Sequence, residues 1–141
     1  LPAGKSIVVP APRHGARPAR AKPPYAQGKL VRVLRGRIYD VAVDVRPNAP
    51  TYGKHVGVTL SEDELALFYI PPGFLHGFCT LTDNVIVMYK VTDFYAPGHE
   101  VGVFWNDPAL GIDWPVDPAQ AILSDKDKLL PRFADMPRLE W

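Results

Sequence analysis

The chain has 141 residues, of which 47% are hydrophobic and 22% are charged, and its formal net charge at pH 7 is +1. This length is typical of a single domain, and the hydrophobic share is large enough for a core. The near-zero net charge gives no electrostatic reason to expect nucleic acid or an anionic membrane as a partner.

The first part of the chain, residues 1–28, is rich in Pro, Arg and Ala and has little hydrophobic periodicity. We therefore expect an irregular N-terminal arm there, with a strand only over 6–9. From Lys29 onward, short apolar runs at intervals of roughly 8–12 residues alternate with turn signals. The predicted strands cover residues 29–34, 38–45, 55–60, 65–70, 74–81, 85–92 and 101–105.

The C-terminal stretch that follows Asn106 is interrupted by prolines and loses this pattern. We expect a loop there, with a short helix over 125–130 that Ser124 caps. Many short strands and little helix predict an all-β sandwich or barrel. The sequence thus divides into an arm over 1–28 and a β domain over 29–141, whose C-terminal end is again irregular.

Membrane insertion and disulfide bonding are both disfavoured by the sequence. No apolar run approaches the ~18 residues of a membrane span, and we expect no signal peptide at Leu1. The one cysteine, Cys79, lies in an apolar run, so we expect a buried, unreactive thiol. This cysteine usage is typical of the reducing cytoplasm, where we place the protein.

A tight corner is predicted at Pro71-Pro72-Gly73, because proline fixes φ and glycine accepts positive φ. His76 follows this corner among aromatic residues, and two interpretations of it remain open. It is either a hydrogen-bonded core histidine without a function or a functional imidazole.

Two carboxylates, Asp40 and Asp44, share one face of the strand predicted over 38–45. The ordinary interpretation is a solvated outer face. The functional interpretation is that one carboxylate orients an imidazole such as His76.

Tyr89 and Lys29 each have an ordinary and a functional interpretation. Tyr89 lies in the middle of a predicted strand and is either a half-buried aromatic or a proton donor. Lys29 lies at the start of a strand and is either an edge charge or a cation that stabilises an enolate.

A metal site is not predicted, although Pro71-x-Gly73-x-x-His76 is similar to half of the metal motif of cupin-type jelly rolls. The other half requires histidines on an earlier strand, and residues 37–46 contain none. A metal-dependent cupin therefore remains a third and weaker alternative. The remaining histidines are scattered, at His14, His55 and His99.

Six motifs occur in order along the chain. They are residues 27–33 (QGKLVRV), 40–46 (DVAVDVR), 50–53 (PTYG), 70–78 (IPPGFLHGF), 89–97 (YKVTDFYAP) and 105–115 (WNDPALGIDWP). Their order and spacing resemble the dTDP-4-dehydrorhamnose 3,5-epimerase family over about residues 21–127. The resemblance implies a cupin-like jelly roll that forms a homodimer, needs no metal or other cofactor, and epimerises C3 and C5 of dTDP-4-keto-6-deoxy-D-glucose.

The resemblance also implies roles for individual residues. A histidine base removes a proton next to the C4 ketone, a cation and hydrogen-bond donors hold the enolate, and a tyrosine returns a proton on the opposite face. The residues that match are Tyr89 as the acid, Asp127 as the carboxylate that orients the base, Lys29 and His76 as contacts to the substrate or enolate, and Lys126 and Glu100 as contacts to the nucleotide-sugar.

The family's base is not found in this chain. It belongs to a Leu-Arg-Gly-Leu-His motif, and the position that matches its histidine holds Ala19. Codons for that motif, read in another frame, give the Ala-Arg-Pro-Ala of residues 16–19, so we hypothesise a frame error there. The N-terminal third of the family pattern is also missing. The second interpretation is therefore a catalytically impaired, dTDP-sugar-binding pseudoenzyme of the same fold.

Overall fold

The computed structural model describes residues 6–8, 28–92 and 101–138, and these form two β-sheets with little helix. The strands are β1 (Ser6–Val8), β2 (Lys29–Arg35), β3 (Arg37–Asp44), β4 (His55–Ser61), β5 (Phe68–Ile70), β6 (Phe74–Thr80), β7 (Ile86–Val91) and β8 (Ile122–Leu123). One α-helix, α1, covers Asp125–Lys128, and two 3₁₀ helices cover Pro118–Gln120 and Phe133–Asp135.

The larger sheet has the strand order β4-β3-β6-β1-β8, and the smaller has the order β5-β2-β7. All neighbouring strands are antiparallel except β1 and β8, which are parallel. The all-β architecture is therefore as predicted. The division into an arm and a domain stays a prediction, but β1 comes from the expected arm and lies between β6 and β8 of the larger sheet.

Two short connections place the sheets face to face. Gly36, with φ of 80°, separates β2 from β3, and residues 81–85 connect β6 to β7. The two connections bind each other, since the N–H of Arg37 donates to Thr82 Oγ1 at 2.9 Å and the N–H of Leu81 donates to the carbonyl of Arg37 at 2.9 Å. The β3–β6 pair consequently lies over the β2–β7 pair.

The larger sheet is covered on both faces. Its inner face packs against the smaller sheet around a cluster comprising Val31, Val33, Ile38, Ala42, Leu60 and Ile70. Its outer face packs against the C-terminal segment in a second cluster comprising Val41, Val43, Val45, Leu75, Cys79, Val103, Trp105, Leu110, Trp114 and Met136. Of the two interpretations of Asp40 and Asp44, the solvated face is wrong, because both residues are at most 1% exposed.

The strand predicted over 101–105 is also wrong, since this segment has an irregular backbone. It lies on the outer face and buries Val103 and Trp105 there, while the N–H of Phe104 donates to the carbonyl of Pro131 at 2.7 Å. Side-chain packing onto a sheet, rather than ladder pairing, explains its apolar pattern.

Other boundaries differ by a few residues. The strand predicted from residue 65 begins at Phe68, and Leu65 before it is 86% exposed. The predicted helix ends at Lys128 rather than 130, and Ser124 is its N-cap as expected. Gly73 has φ of 92°, which confirms the corner, and Cys79 is buried as predicted. Within the described ranges, no helix has the length and apolar character that crossing a membrane requires.

Candidate active site

Two polar side chains lie on the inner face of the smaller sheet. Val31 of β2 is a buried core residue, and Lys29, two positions earlier, shares its face. Tyr89 of β7 pairs with Val31 across the sheet and therefore also lies on that face. Lys29 is buried, at 6% exposed, whereas Tyr89 is 51% exposed.

Two more polar side chains lie on the opposing inner face of the larger sheet. His76 of β6 pairs with the core residue Ala42 of β3, and Asp40 lies two positions before Ala42 on the same face. We call Lys29, Asp40, His76 and Tyr89 the inner polar set. Nonlocal strand pairing brings these four residues, from four different strands, to the facing surfaces of the two sheets.

The closest contact in the inner polar set is between His76 and Asp40. His76 Nε2 lies 2.6 Å from Asp40 Oδ1, and the two side chains are 1% and 0% exposed. The other ring nitrogen, Nδ1, and the other carboxylate oxygen, Oδ2, are buried without a hydrogen-bond partner within the described part of the chain. This contact has the geometry in which a carboxylate orients an imidazole.

His76 and Tyr89 are similar numbers of residues away from the turn that joins β6 and β7. His76 precedes Asp83, in the turn that joins β6 and β7, by seven residues, and Tyr89 follows it by six. Because strands rise by a nearly constant ~3.3 Å per residue, the two side chains reach corresponding levels of the facing strands.

The interior is open on the side of β7. Val91 and Tyr89 share the inner face with Val31, yet they are 42% and 51% exposed. β7 is the edge of the smaller sheet, so side chains on its inner face are reached from that edge. A ligand that enters there meets Tyr89 on the smaller sheet, and His76 lies on the inner face of the larger sheet.

The other strand carboxylate, Asp44, has a structural role. It accepts hydrogen bonds from Arg46 Nε at 3.0 Å and Nη2 at 2.7 Å, and a further one from Thr51 Oγ1. The hydrogen bonds from Arg46, with that from Thr51, lower the pKa of Asp44 to about 2, although burial opposes this shift. The guanidinium also lies 4.9 Å from the ring centroid of Phe74, so it connects the end of β3 to the start of β6.

Asp127, which the resemblance implies as a site residue, makes its hydrogen bonds at the start of α1. Asp127 is buried in α1, where its backbone N–H donates to Ser124 Oγ at 3.1 Å and its Oδ2 accepts from the same hydroxyl at 2.6 Å. Its hydrogen bonds among the described residues do not extend to Asp40 or His76. Lys126 is exposed on α1, and Glu100 lies outside the described residues.

Asp40 is the site residue for which the resemblance implied no role. Its signal in the sequence was the period-two pattern that placed it on one strand face together with Asp44. That pattern could not distinguish the two carboxylates. Asp40 has its partner on β6, whereas the partners of Asp44 lie in the loop after β3. Among the described residues, no group of three or more His, Cys, Asp or Glu side chains is arranged to hold a metal ion.

A separate, small cavity of about 20 Å³ lies at the outer face of the larger sheet. Its lining includes the aromatic residues Phe104, Trp105 and Trp114 of the C-terminal segment. His76 also borders this cavity, but its side chain lies on the inner face, where it contacts Asp40, so we place the candidate site there.

Comparison with known proteins identifies the family. The family model described as dTDP-4-dehydrorhamnose 3,5-epimerase matches residues 20–135. The epimerase of Methanothermobacter thermautotrophicus is 52% identical over 110 residues, which are 77% of this chain and 58% of that protein. The crystal structure of the Elizabethkingia anophelis epimerase superposes with a TM-score of 0.83 at 40% identity, over 92% of this chain and 67% of that one.

A third relative was solved with a ligand. The epimerase of Legionella pneumophila, in complex with dTDP-4-keto-L-rhamnose, has a TM-score of 0.75 and 43% identity over 82% of this chain and 63% of that one. Two antiparallel sheets with these structural neighbours define a cupin-like jelly-roll protein. Within that class, the chain belongs to the dTDP-4-dehydrorhamnose 3,5-epimerase family. It spans about three fifths of the length of the curated relatives that it matches.

Proposed function

We propose that the chain acts as an isomerase that epimerises C3 and C5 of dTDP-4-keto-6-deoxy-D-glucose, a step toward dTDP-L-rhamnose or a related deoxysugar. The observation that carries this proposal is the inner polar set, with the hydrogen-bonded Asp40–His76 pair at its centre. The C4 ketone of such a sugar acidifies the hydrogens on C3 and C5. Epimerisation then requires a base, an enolate-stabilising charge and an acid on the opposite face.

The proposed roles follow from chemistry and position. Lys29 supplies positive charge for the enolate oxygen, since an ammonium in a buried site stabilises an anion more than it would in water. Tyr89 supplies the proton from the facing sheet, and its exposed hydroxyl can be re-protonated by solvent. His76 contacts the substrate or enolate, and Asp40 fixes the orientation of its ring.

The nucleotide end of the substrate is assigned to residues outside the inner polar set. We propose that Lys126 and Glu100 contact the nucleotide-sugar and that Asp127 is a carboxylate that orients a base, as its motif implies. The complex of the Legionella relative with dTDP-4-keto-L-rhamnose supports a dTDP-linked 4-keto sugar as the ligand class. The hydrogen bonds between Ser124 and Asp127 make this carboxylate rigid, as a positioning group needs to be.

We also propose a homodimer in the cytoplasm, with no cofactor. The edge strand β7 supports association, because the face opposite Tyr89 exposes the apolar side chains of Ile86 at 50% and Met88 at 38%. The buried thiol of Cys79 supports a reducing compartment. Sedimentation at several protein concentrations tests the dimer, and a monomer at every concentration would contradict it.

A second candidate is a pseudoenzyme that binds dTDP-sugars without converting them. It is favoured by Ala19, which stands where the family pattern has its histidine base. Loss of a general base is expected to cost roughly 10²–10⁴-fold in rate.

Deuterium wash-in distinguishes the two candidates. The protein is incubated with dTDP-4-keto-6-deoxy-D-glucose in D₂O, and the C3 and C5 hydrogens are followed by proton NMR. An epimerase exchanges them faster than a protein-free control and inverts the carbons, and it should lose this inversion in Tyr89→Phe, which removes the donated proton but keeps the ring. Binding without exchange would support the pseudoenzyme, and exchange at one carbon alone would define a mono-epimerase.

A further inference from the structure

The proposed reaction needs a base, and the described residues contain one arrangement with the chemistry of a base. We infer that the Asp40–His76 pair supplies it, with Nδ1 of His76 as the atom that accepts the proton. This inference rests on the proposed function, and it goes beyond it by making His76 the group that breaks the C–H bond. Asp40 is then a positioning residue, because it acts through His76.

The unpartnered atoms of the pair are the first argument. A buried polar atom without a hydrogen bond destabilises a fold by about 1–3 kcal/mol. Here both Nδ1 of His76 and Oδ2 of Asp40 are in that state, beside an apolar cluster that includes Val31 and Ile70. A pair retained for stability alone would satisfy these atoms, or would be replaced by apolar side chains. A nitrogen without a protein partner is instead free for a ligand.

The hydrogen bond between the two residues determines which ring nitrogen reacts. A carboxylate oxygen accepts hydrogen bonds, so Nε2 of His76 carries the hydrogen and donates it to Asp40 Oδ1. In the neutral imidazole the other nitrogen, Nδ1, then holds a lone pair. The pair therefore has the carboxylate–imidazole arrangement in which one residue fixes the tautomer and the other takes a proton.

The position of His76 relative to Tyr89 is the second argument. Epimerisation removes a hydrogen from one face of a carbon and returns one to the other face. His76 and Tyr89 are on facing sheets at similar numbers of residues from the turn that joins β6 and β7, and packed sheets are separated by about 10 Å. A sugar ring between them has the imidazole on one side and the phenol on the other. Two groups on a single sheet would not offer both faces.

The proton and electron balance of the step is closed without a redox partner. Nδ1 takes the proton from C3 or C5, and the electron pair of the broken C–H bond forms the C=C bond of an enolate whose charge lies on O4. Tyr89 donates its proton to the opposite face of the same carbon and restores the C4 ketone. The imidazolium then loses its proton to solvent, and the phenolate regains one.

The charged and titratable groups around His76 are few among the described residues. On the inner faces they are Asp40 and Asp44 of β3, Lys29 of β2 and Tyr89 of β7. Asp44 is occupied by Arg46, which leaves Asp40 as the carboxylate bound to the ring.

The test measures deuterium wash-in and binding in parallel, on the wild type and on variants. His76→Ala removes the base, and Asp40→Asn keeps the shape of the side chain but offers an amide that can force the other tautomer. His55→Gln, on the edge strand β4, is the matched histidine control. Binding of dTDP is measured by titration calorimetry, so that loss of exchange is separated from loss of the ligand. His76→Gln is the substitute if the alanine variant does not fold.

We expect His76→Ala to lower the exchange rate by about 10²-fold or more. Its dTDP affinity should stay within about threefold of the wild type, and added imidazole should restore part of the exchange. The exchange rate of the wild type should rise with pH, as a base requires, and Asp40→Asn should lower kcat more than it raises KM.

Two results would overturn the inference. If His76→Ala exchanges within about threefold of the wild type, His76 is not the base, although the proposed epimerase function stands. If exchange in the wild type falls as pH rises, His76 acts as a protonated hydrogen-bond donor instead. Absence of exchange in a wild type that binds dTDP is a different result, because it removes the proposed function itself.

Discussion

Asp40 and His76 form a 2.6 Å hydrogen bond between two side chains that are almost completely buried. Removal of one member leaves the other buried without its partner, which typically costs about 3–5 kcal/mol. We expect Asp40→Ala to lower the free energy of unfolding by that amount in urea titrations. The control is Asp125→Ala, because Asp125 is 99% exposed and pairs with Lys128 only at the surface. Equal effects of the two substitutions would contradict the account.

The same pair allows a test of whether it is kept for stability or for chemistry. Replacement of both members, as in Asp40→Ala with His76→Leu, removes both uncompensated polar groups. We expect the double variant to be more stable than Asp40→Ala alone, in the same urea titrations, while deuterium wash-in is lost. If the double variant is destabilised by the sum of the two single losses in free energy of unfolding, the pair is kept for stability.

The corner after β3 makes stability depend on pH through Asp44. Its pKa in the folded protein is about 2, below the ordinary value of 3.8, because Arg46 and Thr51 donate hydrogen bonds to the carboxylate. The folded state is therefore stabilised above pH 3.8, and this contribution is lost as pH falls from 3.8 toward 2.

This dependence is measured by comparing the wild type with Asp44→Asn over that pH range. The difference in free energy of unfolding should be largest above pH 3.8 and should shrink as the pH approaches 2. The exposed Asp113→Asn serves as a control for the substitution itself. A difference that does not change with pH would mean that the charge of Asp44 is not what Arg46 stabilises.

Tyr39 packs closely against Gly57 on the paired strands β3 and β4. A Cβ atom on Gly57 would overlap the Tyr39 ring, which also makes an edge contact with Trp114 at 6.1 Å between ring centroids. We expect Gly57→Ala to destabilise the protein by about 1–3 kcal/mol, as overpacking does. In the Tyr39→Ala background the same change should cost much less, and a double-mutant cycle measures the coupling. Additive effects would contradict the contact.

Ser124 and Asp127 bind each other at the start of α1. The hydroxyl of Ser124 accepts from the backbone N–H of Asp127 and donates to its carboxylate. Ser124→Ala should lower the free energy of unfolding by about 1 kcal/mol, the usual cost of a lost N-cap, and speed hydrogen exchange at the Asp127 amide. Ser124→Thr should retain most of both. If alanine and threonine behave alike, the cap does not stabilise the helix.

The strands could be predicted because they depend on local patterns such as the alternation in β2. The burial of Asp40 could not, since its face of β3 is covered by the smaller sheet, whose strands β5 and β7 are distant in sequence. The apolar run at 101–105 predicts a strand although it packs on the outer face of the larger sheet, because the sequence does not show which residues lie next to it. A local apolar pattern shows that side chains are buried. It does not show whether the segment pairs as a strand or packs on the face of a sheet.

The candidate site could be predicted in its residue types but not in its pairing. The corner at 71–73 and the alternation of β3 made His76 and Asp40 candidates. That they bind each other depends on the register in which Ala42 pairs with His76, which no local signal fixes. The position of Tyr89 relative to His76 depends likewise on how two distant hairpins stack. The roles of Lys29, Tyr89 and Asp127 remain predictions.

The central claim is that the sugar nucleotide binds between the sheets, against the inner polar set. The most direct test follows the imidazole C–H resonances of His76 and His55 by NMR, assigned with His76→Gln and His55→Gln, during titration with dTDP-4-keto-6-deoxy-D-glucose. The account predicts that the His76 resonance shifts on saturation while that of His55, on the edge strand β4, does not. An unchanged His76 resonance at saturating ligand would place the binding site elsewhere and contradict the account.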